Sequence, residues 1–272
     1  MRQVNQLGRI VLKSSLVLTL LTDASSVRIQ AENNTVASAP SIAEQYLLAA
    51  ANRERLSRGL RALQQDPVLA QAAAFHARQM ADHGGISHEF PGEPDLATRA
   101  AAVGVRFSIV SENVAEAPEP TVIHDMWMKS EGHRENLLDP NVNVAGISVV
   151  VRDHQFYAVE DFASTVESLS FDQQESTVAK LLAASGIEIA NKAAAAATIK
   201  DARETCAMST GYAGARKPWF VMRYTASTLS ELPSQLKTRL STGKYHLAAV
   251  GACSASESSS FTSYNIAVLL YP

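Results

Sequence analysis

The sequence predicts an α+β protein with helices first, a pair of antiparallel strands next, and a second, smaller α+β region at the end. Apolar residues recur at helical spacing through the first part of the chain. Residues 145–151 and 155–162 are instead β-branched and aromatic, and the three residues between them are typical of a hairpin. Helices followed by a hairpin favour helices packed on an antiparallel sheet over alternating parallel units. We therefore expect an α/β/α or α+β arrangement of layers.

Helix starts and ends are marked clearly in the first part. Ser41 and Glu44 have the spacing of a capping box and predict the start of a first helix. Asp66 followed by Pro67 predicts the start of a second helix, which should end at the glycine pair 84–85. Two further helices are predicted at residues 97–103 and after Pro120.

The N-terminus has the pattern of a secretory signal peptide. Arg2, Arg9 and Lys13 precede a short apolar run, and small and polar residues follow it. That run is too short for the roughly 20 residues that a membrane span needs. We predict a signal peptide at residues 1–31, a linker at 32–40, and no transmembrane span after cleavage. An ordinary helical or irregular N-terminus of a cytosolic protein is the alternative.

The global charge gives no support to two classes of partner. The net charge of −3 at pH 7 has no basic excess that would recruit nucleic acid or an anionic membrane. No nucleic-acid partner is therefore expected, and ligands must be argued from local sites.

The C-terminal part is predicted to be a separate accessory α+β domain of unknown function at residues 178–272, after a polar linker at 164–177. A helix at residues 232–240 and three strands are expected within it, and no sequence repeat is visible. Cys206 and Cys253 are the two cysteines of the chain. In an exported protein an even pair favours a disulfide, whereas two buried thiols would suit a cytosolic one.

Three short motifs carry the residue types of a polar site. They are Ser87-His88, Glu112-Asn113 and the segment 127–136, WMKSEGHREN, which contains His133. Imidazole nitrogens and carboxylates are the groups that bind divalent metals or act as acid and base near neutral pH. A hydrogen-bonded network that only ties loops to a sheet uses the same groups.

In this order and spacing the motifs resemble the CAP superfamily, in its bacterial SCP/PR-1-like or YkwD-like extracellular branch. The resemblance covers about residues 41–163 and extends to Asn52-Arg53, Arg99, Trp127 and Gly146. It implies a three-layer α/β/α sandwich with a cleft that binds a divalent metal in some members.

Carried over to this chain, the resemblance implies His88, Glu112 and His133 as metal or ligand groups, with zinc or magnesium as the candidate metal. The position that is acidic in many eukaryotic members is Ser130 here, and Glu131 beside it is a doubtful substitute because adjacent helical residues face different ways. Asn113 is included in the cleft but is expected to hold loops. Arg99 is expected to form a structural ion pair, and His76 to pack.

Other catalytic patterns are missing from the sequence. His88-Glu89 begins like a zincin motif, but no second histidine follows at the required spacing. There is also no G-x-S-x-G elbow of a serine hydrolase.

The sequence thus favours a secreted or cell-envelope module whose His/Glu cleft binds a divalent metal or small ligand without catalysis. No catalytic residue can be assigned. A metal-dependent hydrolase of peptides or envelope polymers and a scaffold without ligand are the alternatives.

Overall fold

The computed structural model of the protein describes residues 39–190, 196–254 and 260–272. They all belong to one compact unit, Ala37–Pro272. The predicted signal peptide at 1–31 and most of the predicted linker at 32–40 lie outside the described residues.

The first half is built around one four-stranded sheet. Its elements in chain order are α1 (Ile42–Ser57), β1 (Gln64–Gln65), α2 (Leu69–His83), α3 (Leu96–Ala102), β2 (Phe107–Ala117), α4 (Pro120–Lys129), α5 (Glu131–Leu138), β3 (Val144–Arg152) and β4 (Gln155–Thr165).

Local sequence explains where the first helices begin and end. Both hydrogen bonds of the capping box between Ser41 and Glu44 are present at the start of α1. Asp66 accepts hydrogen bonds from the backbone N–H groups of Val68 and Leu69, so it caps the turn that leads into α2. Gly84 ends α2 in the left-handed conformation, which glycine adopts without strain.

The sheet has the order β1-β3-β4-β2 and helices on both faces. The strand β1 is parallel to β3, and the β3-β4 and β4-β2 pairs are antiparallel. Side chains alternate along β4: Ala158 and Phe162 pack with the core of α1, α4 and α5, whereas Val159 packs with α2. The predicted α+β fold with a three-layer sandwich is therefore confirmed.

The C-terminal part is a second sheet domain, as predicted. Its elements are α6 (Phe171–Ala184), β5 (Glu188–Ile189), α7 (Ala196–Ala207), β6 (Phe220–Ala226), α8 (Ser234–Leu240), β7 (Leu247–Cys253) and β8 (Tyr264–Tyr271). The helix α6 lies partly within residues 164–177, where a linker was predicted. Ser170 and Gln173 form a complete capping box that starts this helix, and the polar composition had concealed it.

The second sheet repeats the topology of the first. Its order is β5-β7-β8-β6, with β5 parallel to β7 and both other pairs antiparallel. The helices α6 and α8 pack on one face and α7 on the other, as α1 and α4 oppose α2 in the first half. A topology can recur without a visible sequence repeat, because it needs the same order of apolar patterns and not the same residues.

An equivalent side-chain contact in each sheet establishes which residues of the two sheets correspond to each other. Glu44 of α1 accepts a hydrogen bond from the Val149 N–H at 3.0 Å, and Glu175 of α6 accepts one from the Ala252 N–H at 2.9 Å. Each of these N–H groups lies four residues beyond the last residue paired with the short parallel strand. Both glutamates therefore satisfy an otherwise unpaired donor at the same place on a sheet edge.

Two further predictions concern covalent and membrane structure. Cys206 and Cys253 form a disulfide with a Cα–Cα distance of 5.7 Å, so the predicted pairing is confirmed. Throughout the described ranges, we find no helix that combines the length and apolar character of a membrane span.

Candidate ligand-binding cleft at His88, Glu112 and His133

Glu112 lies at the centre of the candidate cleft. It occupies the middle of β2 and its side chain is only 3% exposed. One carboxylate oxygen is 2.9 Å from Nδ1 of His88, and the other is 2.5 Å from Nη2 of Arg99. The His88 side chain is 62% exposed, so a buried carboxylate orients an imidazole ring that reaches the surface.

Arg99 connects α3 to the loop that carries His88. Its buried guanidinium donates through Nη1 to the carbonyls of Pro94, at 3.0 Å, and His88, at 3.4 Å. The ion pair with Glu112 bears out the expectation of a structural ion pair. Because arginine stays protonated in proteins, Arg99 places a permanent positive charge beneath the cleft.

His76 holds the same loop from the side of α2. The ring is fully buried, and its two nitrogens lie 2.7 Å from a Glu93 carboxylate oxygen and 2.7 Å from the Ser87 carbonyl. A neutral imidazole has one N–H, so bonding to two acceptors requires either the imidazolium or a protonated Glu93. Glu93 also accepts the N–H of Phe90. His76 is therefore part of the framework of the cleft, and packing alone does not describe it.

Asp161 is a second buried acid next to Glu112. The two residues are cross-strand partners on β4 and β2, and Asp161 is fully buried. Burial, reinforced by the charge of Glu112, raises the pKa of Asp161 well above its usual range. The protonated form can donate a hydrogen bond to Glu112, which the ionised form cannot.

His133 approaches from α5, on the other side of β2. Asn113 donates to the His133 carbonyl at 2.9 Å, and Asn136 donates to the side-chain oxygen of Asn113 at 3.1 Å. Burial, and then the charge of His88, lowers the pKa of His133. Asn113 thus acts through the backbone, as expected, and holds α5 at His133, whose ring is within the electrostatic influence of His88.

Ser130 and Glu131 lie between α4 and α5. Ser130 is the residue at the junction of the two helices, and its side chain makes no capping hydrogen bond. Glu131 is exposed in the first turn of α5. Over the described part of the chain, neither side chain bonds to His88, Glu112 or His133.

The three predicted metal ligands do not fit a tightly held metal as they stand. Both oxygens of Glu112 are already bonded to His88 and Arg99, which leaves two imidazoles. Within the described residues there is no group of three or more His, Cys, Asp or Glu side chains arranged to hold a metal ion. The expected zinc or magnesium stays a prediction.

The cleft can exchange a proton or bind a polar group through His88. The hydrogen bond to Glu112 is the main cause of the raised pKa of His88, and burial opposes it. A carboxylate that bonds Nδ1 fixes the ring and leaves Nε2 available to a ligand.

Replacing Glu112 by glutamine is expected to lower the pKa of His88, because the neutral amide no longer favours the imidazolium. The readout is the NMR titration of the His88 ring protons. The internal control is the ring of His124, whose titration should not change. Burial lowers the pKa of His124, and the nearby charges that affect it are those of Glu54 and Arg53 rather than Glu112. An unaltered His88 titration would show that Glu112 does not set its charge.

The residues that the sequence did not place in the site share one property. They lie in different elements and meet only in the folded protein: His76 on α2, Glu93 before α3, and Asp161 on β4. The separation of Glu112 and Asp161 along the sequence does not indicate that they are neighbours in the sheet. A polar residue at an inward position of β4 is the only available hint, because it breaks the apolar alternation.

The second sheet does not repeat this site. In the alignment of the two sheets, the row Gly146, Asp161 and Glu112 corresponds to Ala249, Leu269 and Val221. The apolar row packs in the core between the sheet and α7. The polar network is therefore confined to the first sheet.

Comparison with known proteins finds relatives of part of this chain. Residues 48–166 match the family model described as CAP, the cysteine-rich secretory protein family. The chain is 33% identical to YkwD of Bacillus subtilis (strain 168) over 123 residues, which cover 44% of this chain and 48% of that protein. It is 29% identical to the membrane protein YlbC of the same organism over 42% of this chain and 32% of YlbC. The chain thus spans about half or less of the length of these relatives.

Solved structures align over a similar share of the chain. One is an extracellular protein containing an SCP domain from Bacillus anthracis, with 29% identity, a TM-score of 0.41, and coverage of 44% of this chain and 40% of that chain. Another is an outer surface protein of Borrelia burgdorferi, with 19% identity, a TM-score of 0.43, and coverage of 45% and 92%. The similarity to the CAP, or cysteine-rich secretory protein, family thus rests on residues 48–166, which match the CAP domain.

Proposed function

We propose that the CAP domain is a non-catalytic binding module of an exported protein, and that its cleft takes a small ligand at His88 and His133. The observation that carries the proposal is the exposed His88 ring bonded to a buried Glu112, which Arg99 in turn fixes. A site whose groups are held before the ligand arrives loses little entropy on binding.

The buried residues that hold the loop of His88 support a binding role better than a catalytic one. His76, Glu93 and Arg99 hold the loop backbone and are nearly fully buried, so the exposed His88 ring is the part of this network that a ligand can reach. Hydrolysis would need an activated water or nucleophile between His88 and His133. We assign no such group.

A divalent metal is the second ligand class that we propose for the cleft. Its support is the orientation of His88, because a carboxylate on Nδ1 is the usual outer partner of a metal-bound histidine. Because Glu112 is already bonded to Arg99, only the two imidazoles would bind the metal, and they would bind it weakly.

Thermal melting separates these possibilities. The protein is melted with zinc, with magnesium and with a panel of soluble cell-envelope fragments, alongside the variants His88→Asn and His133→Asn. A ligand at one hundred times its Kd should stabilise the wild-type protein by about 2.7 kcal/mol, and either variant should lose this effect. The matched control is His154→Asn, because His154 lies in the β3-β4 turn with a φ of 63°, which asparagine tolerates.

Each other outcome selects a different function. Metal-dependent cleavage of a peptide or glycan that both cleft variants abolish would establish the hydrolase. Lower stability in both variants, with no stabilisation of the wild-type protein by any compound or metal, would favour a structural network. N-terminal sequencing of the protein from the envelope or medium tests export, and an intact Met1 would contradict it.

A further inference from the structure

The shared topology of the two sheets points to one loop of the second sheet domain. In the CAP domain, the segment between α2 and α3 carries His88. Its counterpart is the α7-β6 loop, residues 208–219, which follows the helix on the sheet face opposite α6 and α8. Loops on a rigid scaffold are where binding groups concentrate.

The backbone of the α7-β6 loop is fixed to the domain at several points. The Ala213 N–H donates to Oγ1 of the buried Thr205 at 2.9 Å, and the Arg223 guanidinium donates to the Gly211 carbonyl. Gly214, with a φ of 97°, lies so close to Asp201 that a Cβ atom would overlap its carboxylate. The disulfide of Cys206 anchors the end of α7 just before the loop. The loop therefore has a defined conformation.

Large apolar side chains of this fixed loop nevertheless face the solvent. Trp219 is 62% exposed, and Met208 and Tyr212 are 39% and 37% exposed. Because these apolar side chains are exposed, they contribute little hydrophobic stabilisation to the fold. Their exposure on a rigid loop favours a role at an interface.

Basic side chains lie in and beside the loop. Arg216 and Lys217 belong to it, and Arg223 of β6 donates to its Gly211 carbonyl. Within the loop, Lys217 is exposed, and the Arg216 guanidinium stacks 4.5 Å from the centroid of the Tyr271 ring. The loop has no Asp, Glu, Asn or Gln, the side chains that usually bind sugar hydroxyls.

We propose that the α7-β6 loop binds the surface of an anionic lipid membrane, with Trp219, Tyr212 and Met208 at the lipid boundary and Lys217 and Arg216 facing the headgroups. Tryptophan and tyrosine favour this boundary because their rings have an apolar body and a polar edge. Basic residues next to them add attraction to anionic headgroups. This interaction is independent of any ligand in the CAP cleft.

Trp219 reports directly on the interaction. The chain has two tryptophans, and the other, Trp127, is fully buried with its Nε1 bonded to the Val114 carbonyl. Fluorescence of the full chain is measured with vesicles of phosphatidylcholine alone and of phosphatidylcholine with phosphatidylglycerol. We expect a blue shift only with the anionic vesicles, and co-sedimentation that decreases as salt is added.

Variants locate the contact. Trp219→Ala should weaken vesicle binding roughly tenfold, and Lys217→Gln about fivefold. The controls are Phe171→Ala, an aromatic residue of α6 that is 41% exposed, and Lys129→Gln on α4; both should bind as the wild-type protein does.

Three results would overturn the proposal. One is equal binding by wild type and Trp219→Ala, which would place the contact elsewhere in the chain, including residues 1–38. Another is binding to a soluble anionic polysaccharide with none to vesicles. The third is a dimer that Trp219→Ala converts to a monomer, without vesicle binding by either form.

Discussion

Replacing Glu160 by glutamine should markedly reduce the pH dependence of stability between about pH 5 and pH 8. Glu160 is fully buried on β4, and neither of its carboxylate oxygens has a hydrogen-bond partner in the described structure. Burial raises the pKa of Glu160 to about 8, although the charge of Arg55 opposes the shift. The folded protein therefore keeps this carboxyl protonated at neutral pH.

The direction of the effect follows from proton linkage. The unfolded chain releases the Glu160 proton near its ordinary pKa of 4.5, whereas the folded protein retains it up to about 8. Between these values the unfolded state binds fewer protons, so the free energy of unfolding falls as pH rises. The decline should approach about 1.4 kcal/mol per pH unit and reach several kcal/mol in total.

Urea denaturation between pH 5 and pH 8.5 measures this decline. The wild-type protein should lose stability across the range, and Glu160→Gln should lose clearly less and be more stable at the alkaline end. The slope that remains in the variant comes from Asp161, whose pKa burial also raises. The control Glu188→Gln removes an exposed glutamate of β5 and should retain the wild-type slope. Parallel curves for wild type and Glu160→Gln would mean that Glu160 is ionised in the fold.

Replacing Gly146 by alanine should destabilise the protein by about 3 kcal/mol, because β3 and α2 are packed backbone against backbone. A Cβ atom at Gly146 would lie closer than 3.0 Å to backbone atoms of Leu69 and Ala70. The start of α2 would have to move outward. His76 lies on the same helix, so its contacts with Ser87 and Glu93 should loosen together with the cleft.

Chemical denaturation and the NMR titration of His88 test both parts of this prediction. The control is Gly132→Ala in α5, where the added methyl group meets no atom within 4 Å. That variant should be stabilised by up to about 1 kcal/mol, because alanine loses less backbone entropy in a helix than glycine. A Gly146→Ala protein as stable as the wild type would show that α2 moves freely against the sheet.

The second sheet uses the same close contact. A Cβ atom at Gly251 of β7 would lie closer than 3.0 Å to the backbone of Ala202 and Arg203 in α7. In both sheets a glycine thus lets a helix, α2 or α7, approach a strand closely, although the two glycines are two residues apart in the alignment.

Local patterns predicted much of the fold. The capping box of Ser41 and Glu44, the glycine after α2 and the β-branched runs of β3 and β4 each act within a few residues, so they are readable in the sequence. The capping box at Ser170 is equally local but was missed, because polar composition suggested a linker. The resemblance, in turn, supplied His88, Glu112 and His133.

The sequence by itself determined the class of fold, the cysteine pair and the motifs of the CAP domain. Only the tertiary structure decided that Arg99 takes one oxygen of Glu112, that Asp161 lies beside it, and that His76 holds the loop of His88. It also decided that the second sheet shares the topology of the first without its polar row. Strand register and the burial of charges depend on residues far apart in the chain, so no local pattern records them.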